Sequence, residues 1–266
     1  MDRLLLIAST FCFLFGFAYT MHALGARVYR RSWLNFFAIL SGFACQTAFL
    51  YVRGSQLGRC PLTNLFEVLI FLSWSMVLFY LLIGPTYRLS LLGVFTSPAV
   101  FVFQLIALLA PATDPHSITK ITPNPYMELH AAVSIMAYGA FALAGVAGVM
   151  YLVQERQLKT HHLTSIYHAL PPIRDLAIAN RGLILAGFAL LTIGIGAAFG
   201  IPGILETHRV KLSWSIGVWL LYAIILGAEL RHRISPRRGA WFSVAAFGIV
   251  LCTLWGIDFL TVSTAG

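Results

Sequence analysis

Two of the eight histidines are set apart by their neighbours. His130 is followed by Ser134 and Tyr138 at i+4 steps, so on a helix all three share one face. His208 stands in a short polar stretch beside Glu206, Arg209 and Lys211. A neutral imidazole is a common axial ligand for haem iron, and two imidazoles can hold the ring from opposite sides. Arg209 and Lys211 carry the charge to pair with propionate carboxylates, and Glu206 is placed to orient His208 as a hydrogen-bond acceptor. The spacing alone also fits two interfacial histidines that never meet, and on these residues by themselves that is the simpler reading. His161, His162 and His168 sit near Lys159 and Arg174, and His232 sits among arginines. Both groups read as a solvated basic face, with metal binding the alternative for the first. His22 reads as an interfacial residue or an inner ligand, and His116 as an exposed loop residue.

The elements that must position these residues are apolar. Eight stretches of about twenty mostly apolar residues follow one another, near residues 4–21, 33–51, 64–83, 89–110, 129–152, 182–199, 212–230 and 240–260. Each is long enough to cross the hydrocarbon core as a helix. Charged residues make up 10% of the chain and mean hydropathy is +0.84, whereas soluble domains carry about 25% charged residues. The expected architecture is an all-α polytopic membrane helical bundle of about eight transmembrane helices, forming a single integral-membrane domain over residues 1–266. No repeat or low-complexity tract stands out.

The net charge of +9 raises nucleic acid as a partner, but the distribution of the charge excludes it. Twelve of the eighteen basic residues fall in the connectors after the first, third, fifth and seventh spans, against six on the opposite side. That asymmetry is the positive-inside pattern, and it puts both termini outside the cytoplasm. A cleavable leader is conceivable at the start of the chain, but Arg27, Arg30 and Arg31 follow the first span at once. Such a cluster resists export, so a retained helix is expected. With this topology His130 and His208 both lie at the outer face.

The four cysteines, Cys12, Cys45, Cys60 and Cys252, show no CxxC or other metal spacing, and redox chemistry is not indicated. Small residues mark helix contacts: Ala140, Ala144 and Gly148 recur every fourth residue in the fifth span, and Gly196 and Gly200 form a GxxxG in the sixth. Trp33, Trp214, Trp241 and Trp255 fall near the interfaces, whereas Trp74 and Trp219 lie deeper and read as packing residues. Glu67 and Glu229 are the acids nearest the spans. Glu229 can pair with Arg233 one turn on.

The stretch Cys60-Pro-Leu-Thr-Asn-Leu-Phe-Glu67, running on to Leu72-Ser-Trp74, resembles the third-helix entry of the CcsA/HemX-type cytochrome c assembly family. Glu128-Leu-His130 with Tyr138, and Tyr151-Leu-Val-Gln-Glu-Arg156, resemble the helix that follows in that family. Trp219-Leu-Leu-Tyr222, Arg237-Arg-Gly239 and Phe247–Gly256 resemble its last two helices. The ordered set covers nearly the whole chain. The resemblance implies a bacterial inner-membrane protein, a plastid membrane being the alternative. Such a protein handles or presents haem at the outer face, for attachment to apocytochrome c with a membrane partner subunit. It also implies that His130 is the outward haem ligand and that Glu67 is the acidic residue at the outer end of the third helix, as a cofactor contact or as a structural cap.

Two departures qualify that picture. Full haem-handling members carry a tryptophan-rich WWD segment ending in a Trp-Asp-Pro-Lys-Glu run. Here the corresponding place reads Glu206-Thr-His-Arg-Val-Lys-Leu-Ser-Trp214. The family's second outward histidine follows the last helix, but residues 256–266 contain none. No catalytic segment for haem attachment is recognisable, so enzymatic activity is left undecided, and His208 is the nearby substitute ligand by inference from position. The candidate cofactor contacts are therefore His130, His208, Arg209, Lys211, Glu67 and Tyr138, with the two histidines on iron. The alternative function is that of a HemX-like non-catalytic membrane protein influencing haem biosynthesis or another metal-linked system. A transporter using Glu67 is a third class.

Overall fold

A computed structural model describes residues 2–25, 33–62, 64–83, 92–109, 124–160, 172–204, 209–231 and 233–263. Among them are eight helices: α1 Asp2–Gly25, α2 Trp33–Leu57, α3 Leu65–Ile83, α4 Leu92–Leu109, α5 Pro125–Thr160, α6 Ile173–Ala198, α7 Arg209–Leu230 and α8 Pro236–Ser263. No strand occurs among the described residues. Helices with internally paired backbones are one of only two solutions open to a chain in lipid. Stretches of α2, α3, α5, α6 and α7 are long and apolar enough to cross a membrane, and α1 and α4 carry the shorter apolar segments Arg3–Tyr19 and Phe95–Leu109. Large apolar side chains stay exposed all around the bundle, among them Leu4, Phe11, Phe37, Leu109, Ile193 and Ile224. In water such a surface would be a liability; against acyl chains it costs nothing.

The helices outrun the apolar stretches where polar residues can extend them into water. The helix α5 reaches Thr160, where Lys159 pairs with Glu155 at 2.8 Å one turn back, and Arg237 of α8 meets the same carboxylate at 3.2 Å. The helix α6 begins at Ile173, nine residues before the apolar stretch that starts at Gly182. Hydropathy marks the thickness of lipid crossed, not the length of the helix, so Arg174, Asp175, Asn180 and Arg181 were invisible to it as helical residues. Starts are fixed locally. Asn64 Oδ1 accepts the amide of Glu67 at 2.9 Å to cap α3, and Asn124 Oδ1 accepts that of Tyr126 at 3.0 Å to cap α5, with Pro125 in the first helical position.

A repeat is present, contrary to the sequence reading. In α1–α4 the first helix packs on the second and fourth, and the third packs on the second and fourth; α5–α8 repeat the same neighbours. Side chains repeat with them, at one constant separation along the chain. Trp74 donates to Thr47 Oγ1 at 2.9 Å and stacks on Phe43; Trp219 donates to Thr192 Oγ1 at 2.8 Å and stacks on Phe188. In both halves the threonine and tryptophan are 27 residues apart. Gly42 and Gly187 are the matching places where a Cβ would strike an aromatic ring, Phe13 in one half and Phe141 in the other. Gly58 and Gly203, following α2 and α6, take φ of 65° and 69°, a left-handed turn that glycine makes without strain. Asn35 and Asn180, both buried, are a further matching pair. The repeat escapes a scan of sequence because its matched residues are scattered among interchangeable apolar ones.

The halves meet where α5 packs on α3 and α4, with Gly139 against Ser75. Ala140 and Ala144 are fully buried, and Gly148 lets α8 approach at Ser243 and Ala240, as the small-residue spacing in this span anticipated. The GxxxG at the end of α6 delivers only half of the expected contact: Gly200, just past the helix, lies against the Tyr126 ring of α5, while space is open around Gly196. The close approaches within α6 itself are at Gly187 and Gly194.

Candidate functional site

His130 lies one turn into α5 and is half-buried. Its Nδ1 is 2.7 Å from the carbonyl oxygen of Gly194 on α6. A carbonyl only accepts, so Nδ1 carries the proton and Nε2 presents its lone pair. This is the arrangement that fixes ring orientation and tautomer in metal-ligating histidines. Gly194 makes it feasible, because a Cβ there would run into Ser134 Oγ. Two turns further along the helix, buried Tyr138 shares a hydrogen bond with the Ser215 side chain of α7. The polar face expected from His130, Ser134 and Tyr138 therefore looks onto α6 and α7.

The start of α7 lies at this same end of the bundle. Leu212 packs with Ala198, Ile201 and Ile204, and Met127 of α5 joins that cluster. The structure thus brings the first turn of α7, which contains Arg209 and Lys211, to the end at which His130 stands. His208 and Glu206 lie outside the described residues, as do His116, His161, His162, His168 and His232. His22 is exposed in the last turn of α1, at the opposite end.

Glu67 is fully buried and its Oε1 lies 3.1 Å from Arg53 Nε, an ion pair that clamps the end of α2 to the start of α3. Removing two charges from water is costly unless they meet with good geometry, and here they do. Cys60, in the connector between these helices, is half-buried, and its thiol pKa is raised above the ordinary value by burial and by the nearby carboxylates of Glu128 and Glu67. That places Glu128, two residues before His130, beside the first half of the molecule. Glu128 Oε1, Ser134 Oγ and, near the start of α7, Trp214 Nε1 are buried without a hydrogen-bond partner. Sequence reading gave Glu128 and Trp214 no role in the site. Among the described residues no three of His, Cys, Asp and Glu converge as a metal cage.

At the opposite end, Glu229 does not use Arg233. Its Oε2 faces Arg181 Nε at 3.6 Å, and Arg181 Nη2 donates to the Glu229 carbonyl at 3.3 Å. A partner on the neighbouring helix α6 displaces the one on its own chain end, because Arg233 falls past the last turn of α7.

The profile of the family described as cytochrome C assembly protein matches residues 62–263. The chain belongs to that family. It is 27% identical over 232 residues to protein HemX of Brevibacillus brevis, an alignment covering 86% of this chain and 85% of the relative. Cytochrome c biogenesis protein CcsA of Guillardia theta is 25% identical over 239 residues, covering 80% and 78% of the two chains. CcsA of Synechococcus is 26% identical over 271 residues, covering 80% and 79%. The match to the family begins just before α3 and takes in the capped entry with Glu67, the His130 helix and the last two helices, the places where the sequence carried the resemblance.

Proposed function

We propose that this cytochrome c assembly family protein holds haem at the outer membrane face, as cargo to be presented with a partner subunit to an apocytochrome c. The observation that carries the reading is the Gly194 carbonyl on His130 Nδ1, at 2.7 Å. It leaves Nε2 as an oriented donor, which is what an axial ligand requires. His208 is the second ligand in this proposal, and Arg209 and Lys211 pair with the propionates. The open polar atoms of Glu128 and Trp214 lend the same region further hydrogen-bonding capacity. Glu67 and Tyr138 support the site through Arg53 and Ser215. The charge asymmetry of the connectors supports an orientation with both termini outside, and the proposal places the eight crossings in a bacterial inner membrane.

A second reading is favoured by the likeness to HemX and by the lack of a tryptophan-rich run at residues 206–214. In it the protein attaches nothing itself and influences haem synthesis or a related metal-linked system from the membrane. Purification in mild detergent with haem abundant, followed by a reduced-minus-oxidised spectrum, separates the two. The first reading expects a low-spin haem signal that is lost in His130→Ala and in His208→Ala. Haem-free native protein under those conditions would overturn it and leave the second.

A further inference from the structure

At the end of the bundle opposite His130, the four helices of the second half enclose a cavity of about 270 Å³. Its polar lining comes from Tyr151 of α5, Arg174, Asn180 and Arg181 of α6, and Glu229 of α7. Its volume falls just below the range of about 300–1,000 Å³ in which whole drug-sized molecules are buried, so it suits a headgroup or a small anion. Its lining holds two guanidinium groups and one carboxylate. Glu229 is already committed to positioning Arg181 through the side-chain pair and the backbone carbonyl, and Gly239 gives its carboxylate room, since a Cβ there would collide with Oε1. Arg174 makes no ion pair among the described residues and stands in the first turn of α6, where the helix dipole adds positive potential. Arg231, Arg233 and Arg238 are exposed on the flanking chain.

We propose that this cavity binds a phosphate group, with the headgroup of an anionic membrane lipid as its principal source. Guanidinium groups match phosphate oxygens bidentately, and the Tyr151 hydroxyl can add a donor. The surroundings favour a lipid over a free anion. Ile178 lines the cavity and is 42% exposed, and Leu230, Trp241 and Phe242 lie exposed on the helices around it. A charged pocket opening onto an apolar flank at a basic membrane face is where anionic headgroups are recognised. The site is independent of haem and is separated from His130 by the length of α5.

The test uses the full-length protein in detergent. Native mass spectrometry is run with short-chain phosphatidylglycerol, with phosphatidylcholine of the same chain length, and with inorganic phosphate as competitor. Phosphatidylglycerol should remain bound where phosphatidylcholine is lost. Arg174→Gln should weaken it about tenfold, while Arg156→Gln, an exposed arginine outside the lining, leaves it unchanged. Arg181→Lys, which keeps the charge next to Glu229, guards against a folding defect and should weaken binding less than Arg174→Gln. Displacement of the lipid by millimolar phosphate would support the phosphate site and identify free phosphate as a second occupant. Binding of phosphate without any binding of the lipid would keep the phosphate site and overturn the lipid as its source. If neither probe binds, or if Arg174→Gln and Arg156→Gln weaken it equally, the cavity is not the site and the proposal fails.

Discussion

The two four-helix halves share a skeleton and differ in where they place charge. Each has its Phe–Thr–Trp cluster, its aromatic ring over a glycine and its left-handed glycine after the second helix. Each also has an arginine–glutamate pair between its second and third helices, but at opposite ends and opposite depths. In α1–α4 the pair is Arg53–Glu67, with side-chain exposures of 4% and 0%; in α5–α8 it is Arg181–Glu229, with 45% and 9%. The polar groups of the first half are mostly spent on one another: Thr10 on Gln104, Gln104 on Ser9, and Gln46 on Ser73. The second half makes such bonds too, from Asn180 to Ser243 and from Trp219 to Thr192, but its buried Ser134 Oγ, Gln154 Oε1 and Tyr222 hydroxyl have no hydrogen-bond partner. It also holds the half-buried His130 at one end and the Arg174–Arg181 cavity at the other. On the reading proposed above, the first half braces the bundle and the second contacts the ligand.

The largest effect should come from breaking the closed pair. Arg53→Met leaves the Glu67 carboxylate buried without its ion-pair partner, and removing one member of a buried pair costs about 3–5 kcal/mol. Arg53→Met with Glu67→Leu should recover most of that loss, because a matched apolar pair leaves no stranded charge. The corresponding change in the second half, Arg181→Gln, removes a partner that is 45% exposed from a carboxylate that is 9% exposed, and should cost less than the loss at Arg53. Thermal or denaturant unfolding in detergent measures both. Equal losses at the two pairs would break the contrast between a bracing half and an open one.

Glycine substitutions probe the part the halves share. Gly42→Ala and Gly187→Ala each drive a methyl into an aromatic ring, and overpacking of this kind costs about 1–3 kcal/mol. Similar losses at the two sites are expected if the same packing is used twice. Gly196→Ala, with open space around it, should be neutral or slightly stabilising, since it removes only backbone freedom. A loss at Gly196 as large as at Gly187 would show that Gly196, like Gly200, makes a close helix contact.

How much of this was legible in the sequence depended on the kind of signal. Composition and run length gave the all-helical bundle, because a lipid-exposed helix must be apolar all along its length. The i+4 series His130, Ser134, Tyr138 gave one face of α5 correctly for the same geometric reason. The bond from His130 to Gly194 was not legible: a backbone carbonyl has no residue type to announce it, and Gly194 looks like any small residue in an apolar run. Glu229 was assigned to Arg233 because sequence offers only near neighbours, whereas Arg181 approaches through tertiary packing. The internal repeat stayed hidden since apolar residues interchange freely in lipid, leaving only a few matched positions such as Thr47 and Thr192 to report it.

The smallest effect tests the seam between the halves. The Cys60 thiol belongs to the first half, yet Glu128 of the second half raises its pKa, after burial and before Glu67. A raised thiol pKa means less thiolate at neutral pH, and thiolate is the reactive form. Alkylation of native protein should therefore be slow near pH 7 and keep accelerating past the pH at which an ordinary exposed cysteine levels off. Glu128→Gln removes one of the raising charges without disturbing the Arg53–Glu67 pair, so the pKa should fall and alkylation near pH 8 should quicken by a small factor. Burial is the larger cause and remains, so the rate should stay below that of an exposed thiol. If Glu128→Gln leaves the alkylation profile unmoved, Glu128 does not sit against the first half. The start of α5, with His130 two residues on, would then be free of the bracing that the comparison assigns to it.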